Sequence, residues 1–159
     1  MTDLDALPTA ARAEHCLDIL VTSVASDSHT WNLIYLQLLL QEQGHRVRNL
    51  GSCVPAAMLL TECLRQQPDL VVISSVNGHG HLDGMAAVRT LREQPRLAAM
   101  LVVIGGQLGI AGPGGQRRRH ELTAAGFDAV FEGAAGLPAF RRYLSGLRIE
   151  QGHRARAGS

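Results

Sequence analysis

A histidine and an aspartate at close spacing are the residues of this chain best suited to chemistry. Asp27 and His29 fall in the segment Asp27-Ser28-His29-Thr30-Trp31-Asn32, shortly after a run of apolar residues. A neutral imidazole can ligate a metal through one ring nitrogen, while a nearby carboxylate accepts a hydrogen bond from the other nitrogen and fixes the tautomer. The same pair also fits an ordinary solvated loop, so its meaning depends on the elements that position it.

Strand-like and helix-like patterns alternate along the chain. Continuous apolar runs predict five strands buried in a parallel sheet, and the periodic segments between them predict five helices. The predicted strands are 17–24, 46–50, 69–75, 100–104 and 128–131, and the predicted helices are 30–43, 55–66, 82–93, 116–125 and 137–147. Short connections between alternating elements imply an α/β fold, a flavodoxin-like doubly wound five-stranded parallel sheet with strand order 2-1-3-4-5.

This topology gathers polar and small residues at one edge of the sheet. The Asp27/His29 loop follows the first strand, Ser74-Ser75-Val76 ends the third strand ahead of Asn77-Gly78, and Gly105-Gly106 follows the fourth. Ligands of open α/β sheets bind outside the carboxyl ends of the strands, where the strand order reverses, and here that point lies between the first and third strands. Small residues there predict a slot that a flat ligand tail can enter.

Composition excludes several classes of protein. The 159 residues, 46% hydrophobic and 18% charged, are typical of one globular domain with a proper core. A net charge of +1 gives no electrostatic reason to expect nucleic-acid binding. No segment reaches the ~18 apolar residues that span a membrane, and the first fifteen residues lack the apolar core of a signal peptide, so we expect a cytoplasmic protein. The three cysteines, Cys16, Cys53 and Cys63, form neither a disulfide framework nor a zinc pattern.

Two further motifs carry less weight. His79 and His81, with Asp83, have spacing that could hold a metal, but two histidines on a glycine-rich loop more often make polar loop contacts. The glycine-rich stretch 109–115 lacks the Lys-Ser/Thr pair of a phosphate-binding loop. The small, polar and basic residues of 149–159 predict a disordered tail, and residues 1–16 are expected to form an N-terminal extension.

Taken together, the three strand-end motifs resemble the cobalamin-binding domain of B12-dependent mutases and methionine synthase, and above all the small subunit of glutamate mutase (methylaspartate mutase). That family carries Asp-x-His-x-x-Gly, Ser-x-Leu and Gly-Gly at the ends of strands 1, 3 and 4. Here the matching segments are Asp27-Ser28-His29, Ser74-Ser75-Val76 and Gly105-Gly106, and the resemblance covers residues 17–147. It implies that residues 17–148 form a cobalamin-binding domain.

The chain departs from the family pattern at three places. Asn32 stands where the first motif has glycine, and Val76 replaces the leucine of the second. The segment after the fifth strand, 131–135, lacks the Pro-Gly-Thr that family members often show. Asparagine tolerates unusual backbone angles better than most residues, so we expect Asn32 to preserve the backbone while adding a side chain near the ligand.

The resemblance implies roles for these residues toward a cobalt corrinoid. His29 would be the lower axial cobalt ligand, with Asp27 orienting its ring. Ser74 would face the benzimidazole of the nucleotide tail, and Val76 and the two glycines would line the slot. The cofactor-binding residues expected in this way are Asp27, Ser28, His29, Thr30, Trp31, Asn32, Ser74, Ser75, Val76, Gly78, Gly105, Gly106 and Phe131.

The implied activity is that of an adenosylcobalamin-dependent isomerase that converts L-glutamate to 3-methylaspartate by radical chemistry. We expect no catalytic residue in this chain, which shows no carboxylate clamp and is too short for a barrel domain. The substrate would sit on a separate large subunit, and this chain alone would be inactive. Two alternatives stay open, a stand-alone corrinoid carrier or sensor and an interaction domain that has lost cobalamin. Carriers often have an N-terminal helical cap, so the sixteen residues before the first strand favour the mutase subunit.

Overall fold

The computed structural model describes residues 16–109 and 114–157, and strands and helices alternate along these residues. The strands are β1 (Asp18–Thr22), β2 (Arg46–Asn49), β3 (Leu70–Ser75), β4 (Leu101–Gly106) and β5 (Ala129–Glu132). The helices are α1 (Trp31–Glu42), α2 (Ala56–Gln66), α3 (Gly80–Arg92), α4 (Gly115–Ala125) and α5 (Gly136–Ala157), with a short 3-10 helix at Pro95–Leu97. Every predicted element is present.

The strands form one parallel sheet in the order β2-β1-β3-β4-β5, which confirms the predicted flavodoxin-like topology. All six residues of β3 are buried, as expected for the central strand of a sheet that helices cover on both faces. The strand order reverses between β1 and β3, so the loops after these two strands lie side by side.

Two apolar layers flank the sheet because successive side chains of each strand point to opposite faces. On one face, Val71 and Ile73 belong to the cluster that includes buried residues of α2, α3 and α4. On the other face, Leu70 and Val72 belong to the cluster that includes Leu33 of α1 and residues of α5. Helices α1 and α5 therefore share one face of the sheet.

Several boundaries differ from the sequence predictions by one or two residues, among them the end of β1 at Thr22 and the start of α3 at Gly80. Two further differences change how a segment is described. β4 continues through Gly105 and Gly106, which pair with β3 and β5 instead of forming a loop after the strand. Helix α5 continues to Ala157, although the sequence analysis ended it at residue 147 and expected a disordered tail from 149. Six of residues 149–159 are good helix formers (two alanines, two arginines, one glutamate and one glutamine), and the prediction gave this propensity too little weight.

Several predictions fall outside the described residues: most of the N-terminal extension, the middle of the glycine-rich stretch at 110–113, and the last two residues. Among the helices within the described part of the chain, none combines the length and apolar character needed to cross a membrane.

Candidate functional site

The buried carboxylate of Asp27 ties together the two loops at the switch point. Its Oδ1 accepts hydrogen bonds from the backbone N–H of His29 (3.0 Å) and from His29 Nδ1 (2.7 Å). Its Oδ2 accepts hydrogen bonds from the hydroxyl of Ser75 (2.8 Å) and the backbone N–H groups of Val76 (2.7 Å) and Asn77 (3.2 Å). Donors from the β1 loop and from the end of β3 thus converge on one fully buried group.

These donors decide the protonation state of the Asp27–His29 pair. Burial alone would raise the pKa of Asp27, but the hydrogen bonds from His29, Val76 and Ser75 outweigh it and lower this pKa to about 2. The carboxylate is therefore ionised at neutral pH, and Nδ1 of His29 carries the proton that it accepts. In the neutral tautomer that this bond selects, Nε2 is the nitrogen with the free lone pair, and no described residue hydrogen-bonds to it. Since 48% of the His29 side chain is exposed, Nε2 is available to an external ligand.

A largely apolar cavity of about 230 Å³ lies beside this pair, on the sheet face that α1 and α5 share. The carboxyl ends of β3, β4 and β5 form its floor, and the first turns of α1 and α5 form its sides. Phe131 and Phe140 meet edge to face in its wall, with ring centroids 5.3 Å apart. Seven residues expected to contact a ligand line it: Trp31, Asn32, Ser74, Val76, Gly105, Gly106 and Phe131.

Asn32 lies in the first turn of α1 and lines this cavity. Its side chain is only 5% exposed, and its Nδ2 donates a 2.8 Å hydrogen bond to the hydroxyl oxygen of Ser74. Its Oδ1 is buried and has no hydrogen-bond partner among the described residues. The residue that replaces the motif glycine therefore brings a polar group into an otherwise apolar wall.

The two glycines of β4 are required by the close approach of neighbouring strands. A Cβ at Gly106 would lie 2.1 Å from the carbonyl oxygen of Ser75, and its φ of +112° is unfavourable for other residues. A Cβ at Gly105 would lie 2.8 Å from the carbonyl oxygen of Phe131. Because neither position carries a side chain, the floor of the cavity also stays open.

Besides Asp27 and His29, four of the expected cofactor-binding residues lie outside the cavity lining. Ser28 and Thr30 are exposed, and the carbonyl of Thr30 accepts the N–H of Ile34 at 3.1 Å as α1 begins. Gly78 donates its N–H to the carbonyl of Gln107 at 3.1 Å and lines a separate cavity. The hydroxyl of Ser75 donates to the Asp27 carboxylate, so Ser75 helps to hold Asp27 in place beside the cavity.

Sequence reasoning missed several residues of the site. The cavity is also lined by Tyr35, Leu36, Gly133, Gly136, Leu137 and Phe140. Tyr35 and Leu36 could have been found, since they lie one helical turn after Trp31 and Asn32 on the same side of α1. Asn77 was missed as well, although its backbone N–H reaches Asp27 and its amide nitrogen donates to the carbonyl of Ser26 at 3.1 Å.

The possible metal site at His79, His81 and Asp83 does not form in the structure. Nε2 of His81 lies 2.8 Å from a carboxylate oxygen of Glu121, while Asp83 accepts a hydrogen bond from the hydroxyl of Ser26. His79 precedes the first residue of α3. His81 and Asp83 thus bond to different partners, and no cluster of three or more metal-ligating residues occurs within the described ranges.

The sequence matches a known family and several curated proteins. Residues 17–140 match the B12 binding domain family. The glutamate mutase sigma subunit of Fusobacterium nucleatum is 26% identical over 114 residues, which are 72% of this chain and 83% of that protein. The glutamate mutase sigma subunit of Halobacterium salinarum is 27% identical over 123 residues, which are 76% of this chain and 80% of that protein.

The fold is also shared with solved structures. A cobalamin-binding protein from Desulfitobacterium hafniense superposes with a TM-score of 0.64 at 19% identity, over 81% of this chain. This chain spans 59% of the length of that protein. At such low identity the likeness concerns the fold.

Proposed function

The chain belongs to the B12 binding domain family, and we propose from this premise that it is the cobalamin-binding small subunit of a glutamate mutase-like isomerase. In this proposal the chain holds adenosylcobalamin, and a separate large subunit binds L-glutamate and releases 3-methylaspartate. The single observation that carries the proposal is the geometry of His29, whose Nδ1 is held by the ionised Asp27 while Nε2 is left available. The relatives named above, both glutamate mutase sigma subunits, support the choice of reaction.

The donor set fits a cobalt corrinoid. A neutral imidazole nitrogen is a good cobalt ligand, and a carboxylate on the opposite ring nitrogen fixes the tautomer and raises the basicity of the ligating one. Asp27 is itself fixed by Ser75 and by the backbone of Val76, so His29 is oriented before a ligand arrives. When bound, adenosylcobalamin supplies the radical chemistry of the isomerisation. The role of this chain is then to bind and orient that group.

The cavity suits the flat end of a corrinoid nucleotide tail. Its walls are mainly apolar, and the edge-to-face rings of Phe131 and Phe140 offer a rigid side against which a planar heterocycle can pack. The cavity and His29 lie at the same edge of the sheet, since His29 follows the carboxyl end of β1 and the cavity lies at the carboxyl ends of β3, β4 and β5. One ligand can therefore use both features.

An exposed apolar stripe on α1 supports the proposal of a partner subunit. Trp31, Ile34, Tyr35 and Leu38 are between 47% and 64% exposed and recur at helical spacing along one side of α1. The stripe begins two residues after His29 and includes Trp31 and Tyr35 of the cavity wall. A contiguous exposed apolar surface beside a ligand site is typical of an interaction surface. We propose that the large subunit covers it.

A visible absorption spectrum tests the role of His29. The purified chain is mixed with aquocobalamin, passed over a gel-filtration column, and compared with His29→Ala and with His120→Ala as a control, since His120 is exposed on α4. We expect the wild-type chain and the control to retain a histidine-ligated corrinoid, and we expect His29→Ala to lose that spectrum. In a parallel assay with adenosylcobalamin in place of aquocobalamin, addition of a glutamate mutase large subunit should give mutase activity only with the ligating variants.

Two results would contradict the proposal. One is that no cobalamin is retained even when the large subunit is present. The other is that the spectrum is the same with and without the His29 imidazole. Retention of cobalamin without any activity in the presence of large subunits would instead favour a corrinoid carrier or sensor.

A further inference from the structure

The buried amide of Asn32 has hydrogen-bonding capacity that the described residues leave unsatisfied. Its side chain is more than nine-tenths buried, it lines the cavity, and its Oδ1 has no partner among the described residues. Buried polar atoms in native proteins are nearly always hydrogen-bonded, so each exception requires an explanation. At a ligand cavity the natural explanation is that the ligand supplies the missing donor.

Asn32 and Ser74 form a two-group pattern. Nδ2 of Asn32 donates to Oγ of Ser74, which leaves the hydroxyl hydrogen of Ser74 free to donate in turn. The pair therefore offers one acceptor, Asn32 Oδ1, next to one donor, the Ser74 hydroxyl. Its complement is a ring edge on which an acceptor nitrogen lies beside an N–H donor. The edge of adenine has this arrangement, with an exocyclic amino group beside a ring nitrogen.

A dimethylbenzimidazole base meets only half of this pattern. Its free ring nitrogen can accept the hydrogen of Ser74, but the ring carries no N–H for Oδ1 of Asn32. A glycine at position 32 would make no such demand, so the preference is specific to chains with this substitution. The planar wall formed by Phe131 and Phe140 accepts either ring, so the discrimination rests on the polar pair.

We propose that Asn32 and Ser74 select the lower base of the corrinoid tail and favour an aminopurine base over dimethylbenzimidazole. This inference rests on the proposed function and names the ligand class of that same site. It assigns the two residues a binding role, distinct from the cobalt-ligating role of His29.

Equilibrium dialysis of two corrinoids tests this preference. The purified chain is dialysed against aquo-adeninylcobamide and, separately, against aquocobalamin, and the ratio of the two dissociation constants is measured. One good donor–acceptor pair gives about tenfold discrimination, so we expect the wild-type chain to bind the adeninyl form about tenfold more tightly. Asn32→Gly should bring the ratio close to one, because it removes the only acceptor that tells the two bases apart. Ser74→Ala should weaken the binding of both corrinoids and leave the ratio near its wild-type value, because either base can accept the Ser74 hydrogen. Asn49→Ala is the matched control, because the Asn49 amide bonds Gln37 outside the cavity lining.

The absorption spectrum recorded in the same samples separates this inference from the proposed function. If the histidine-ligated spectrum is present but the wild-type chain binds both corrinoids equally, or prefers cobalamin, the inference is overturned and the proposed function stands. The same holds if the ratio survives Asn32→Gly. If neither corrinoid is retained with the large subunit present, the proposed function fails and this inference falls with it. Asn32→Ala also removes the amide and keeps a good helix former in α1, so it decides the matter if Asn32→Gly does not fold.

Discussion

Asp27 and Asn32 are both buried polar residues, one in the loop before α1 and one in its first turn, yet their surroundings differ. The carboxylate of Asp27 accepts five hydrogen bonds from the chain itself. The amide of Asn32 makes one hydrogen bond, and its oxygen has no partner among the residues that the structure describes. The chain therefore completes the metal-ligand end of the site by folding, while the tail end is left for a ligand to complete.

This difference has an energetic consequence. Three of the five donors to Asp27 come from residues 48 to 50 positions away in the sequence. This set of hydrogen bonds on the Asp27 carboxylate, called the anchor below, is therefore complete only when β1 and β3 pair. Disturbing it should destabilise the fold as well as weaken the ligand site. Disturbing the Asn32 amide should change ligand binding and leave the folded state nearly as stable as before, because that group gains little from folding.

Gly106→Ala should have the largest effect on stability, because the new side chain collides with the end of β3, from which three donors reach Asp27. The new Cβ would lie 2.1 Å from the carbonyl oxygen of Ser75, at a φ of +112°. Backbone displacement at β3 together with this strained φ should lower the free energy of unfolding by on the order of 3 kcal/mol or more. Urea denaturation of the purified chain measures it.

Gly146→Ala is the matched control for that experiment. Gly146 lies in α5, and no heavy atom approaches the position of its Cβ within 4 Å. Alanine should therefore stabilise the helix by roughly 0.5–1 kcal/mol. If Gly106→Ala is as stable as the wild-type chain, the contact between β3 and β4 can relax. The end of β3 that donates to Asp27 would then be less rigid than the contrast between Asp27 and Asn32 requires.

Asp27→Asn should have the next largest effect. The amide keeps one acceptor but presents an NH₂ group to N–H donors of His29 or Val76, so buried donors lose their partner. The expected loss in the free energy of unfolding is about 1–3 kcal/mol at pH 7. Asp18→Asn is the control, since Asp18 forms an exposed ion pair with Arg46 and such pairs contribute about 0–1 kcal/mol. If Asp27→Asn and Asp18→Asn lose similar free energies of unfolding, the buried carboxylate contributes no more to stability than an exposed one.

The same anchor predicts a pH dependence of stability. Folding lowers the pKa of Asp27 from 3.8 to about 2, so the folded state binds this proton less readily than the unfolded state does. The stabilisation is therefore complete above pH 3.8, and it is lost as the pH falls towards 2. Its size is on the order of 2 kcal/mol. Unfolding measured between pH 7 and pH 2.5 should show a steeper fall for the wild-type chain than for Asp27→Asn. Parallel curves would mean that Asp27 titrates normally.

The sequence predicted the fold well because its signals are local. β3 is a continuous run of buried apolar residues, and the strand–helix alternation limits the topology to very few choices. The end of β4 was missed for a non-local reason. Glycine is a poor strand former, and only the pairing of Gly105 and Gly106 with β3 and β5 shows why they belong to a strand.

In the site, likewise, contacts between neighbouring residues could be predicted from the sequence, and contacts between distant residues could not. The Asp27–His29 contact spans two residues, so the sequence motif indicates it directly. The bond from Asn32 to Ser74 joins residues 42 positions apart, and no local pattern shows whether that amide points to Ser74 or to solvent. The contribution of Phe140 depends on how α5 crosses the sheet, which is likewise a tertiary property.

Asn32→Ala, measured without a corrinoid, should have the smallest effect and is the sharpest test of the comparison. The substitution removes the hydrogen bond to Ser74, which costs about 1 kcal/mol, but it also removes a buried oxygen that has no partner. Alanine is in addition the better helix former at the second residue of α1. Because these terms oppose each other, the free energy of unfolding should change by less than about 1 kcal/mol.

Asn32→Ala and the wild-type chain, which should be about equally stable without a ligand, should differ in stability once a corrinoid is bound. Thermal unfolding with saturating aquo-adeninylcobamide should show a smaller stabilisation for Asn32→Ala than for the wild-type chain, because ligand binding raises stability in proportion to the logarithm of affinity. If Asn32→Ala without ligand is as unstable as Asp27→Asn, the Asn32 amide is a structural group like the anchor. The oxygen of Asn32 would then be an unsatisfied group that the fold tolerates. The contrast between a metal-ligand end completed by folding and a tail end completed by the ligand would not hold.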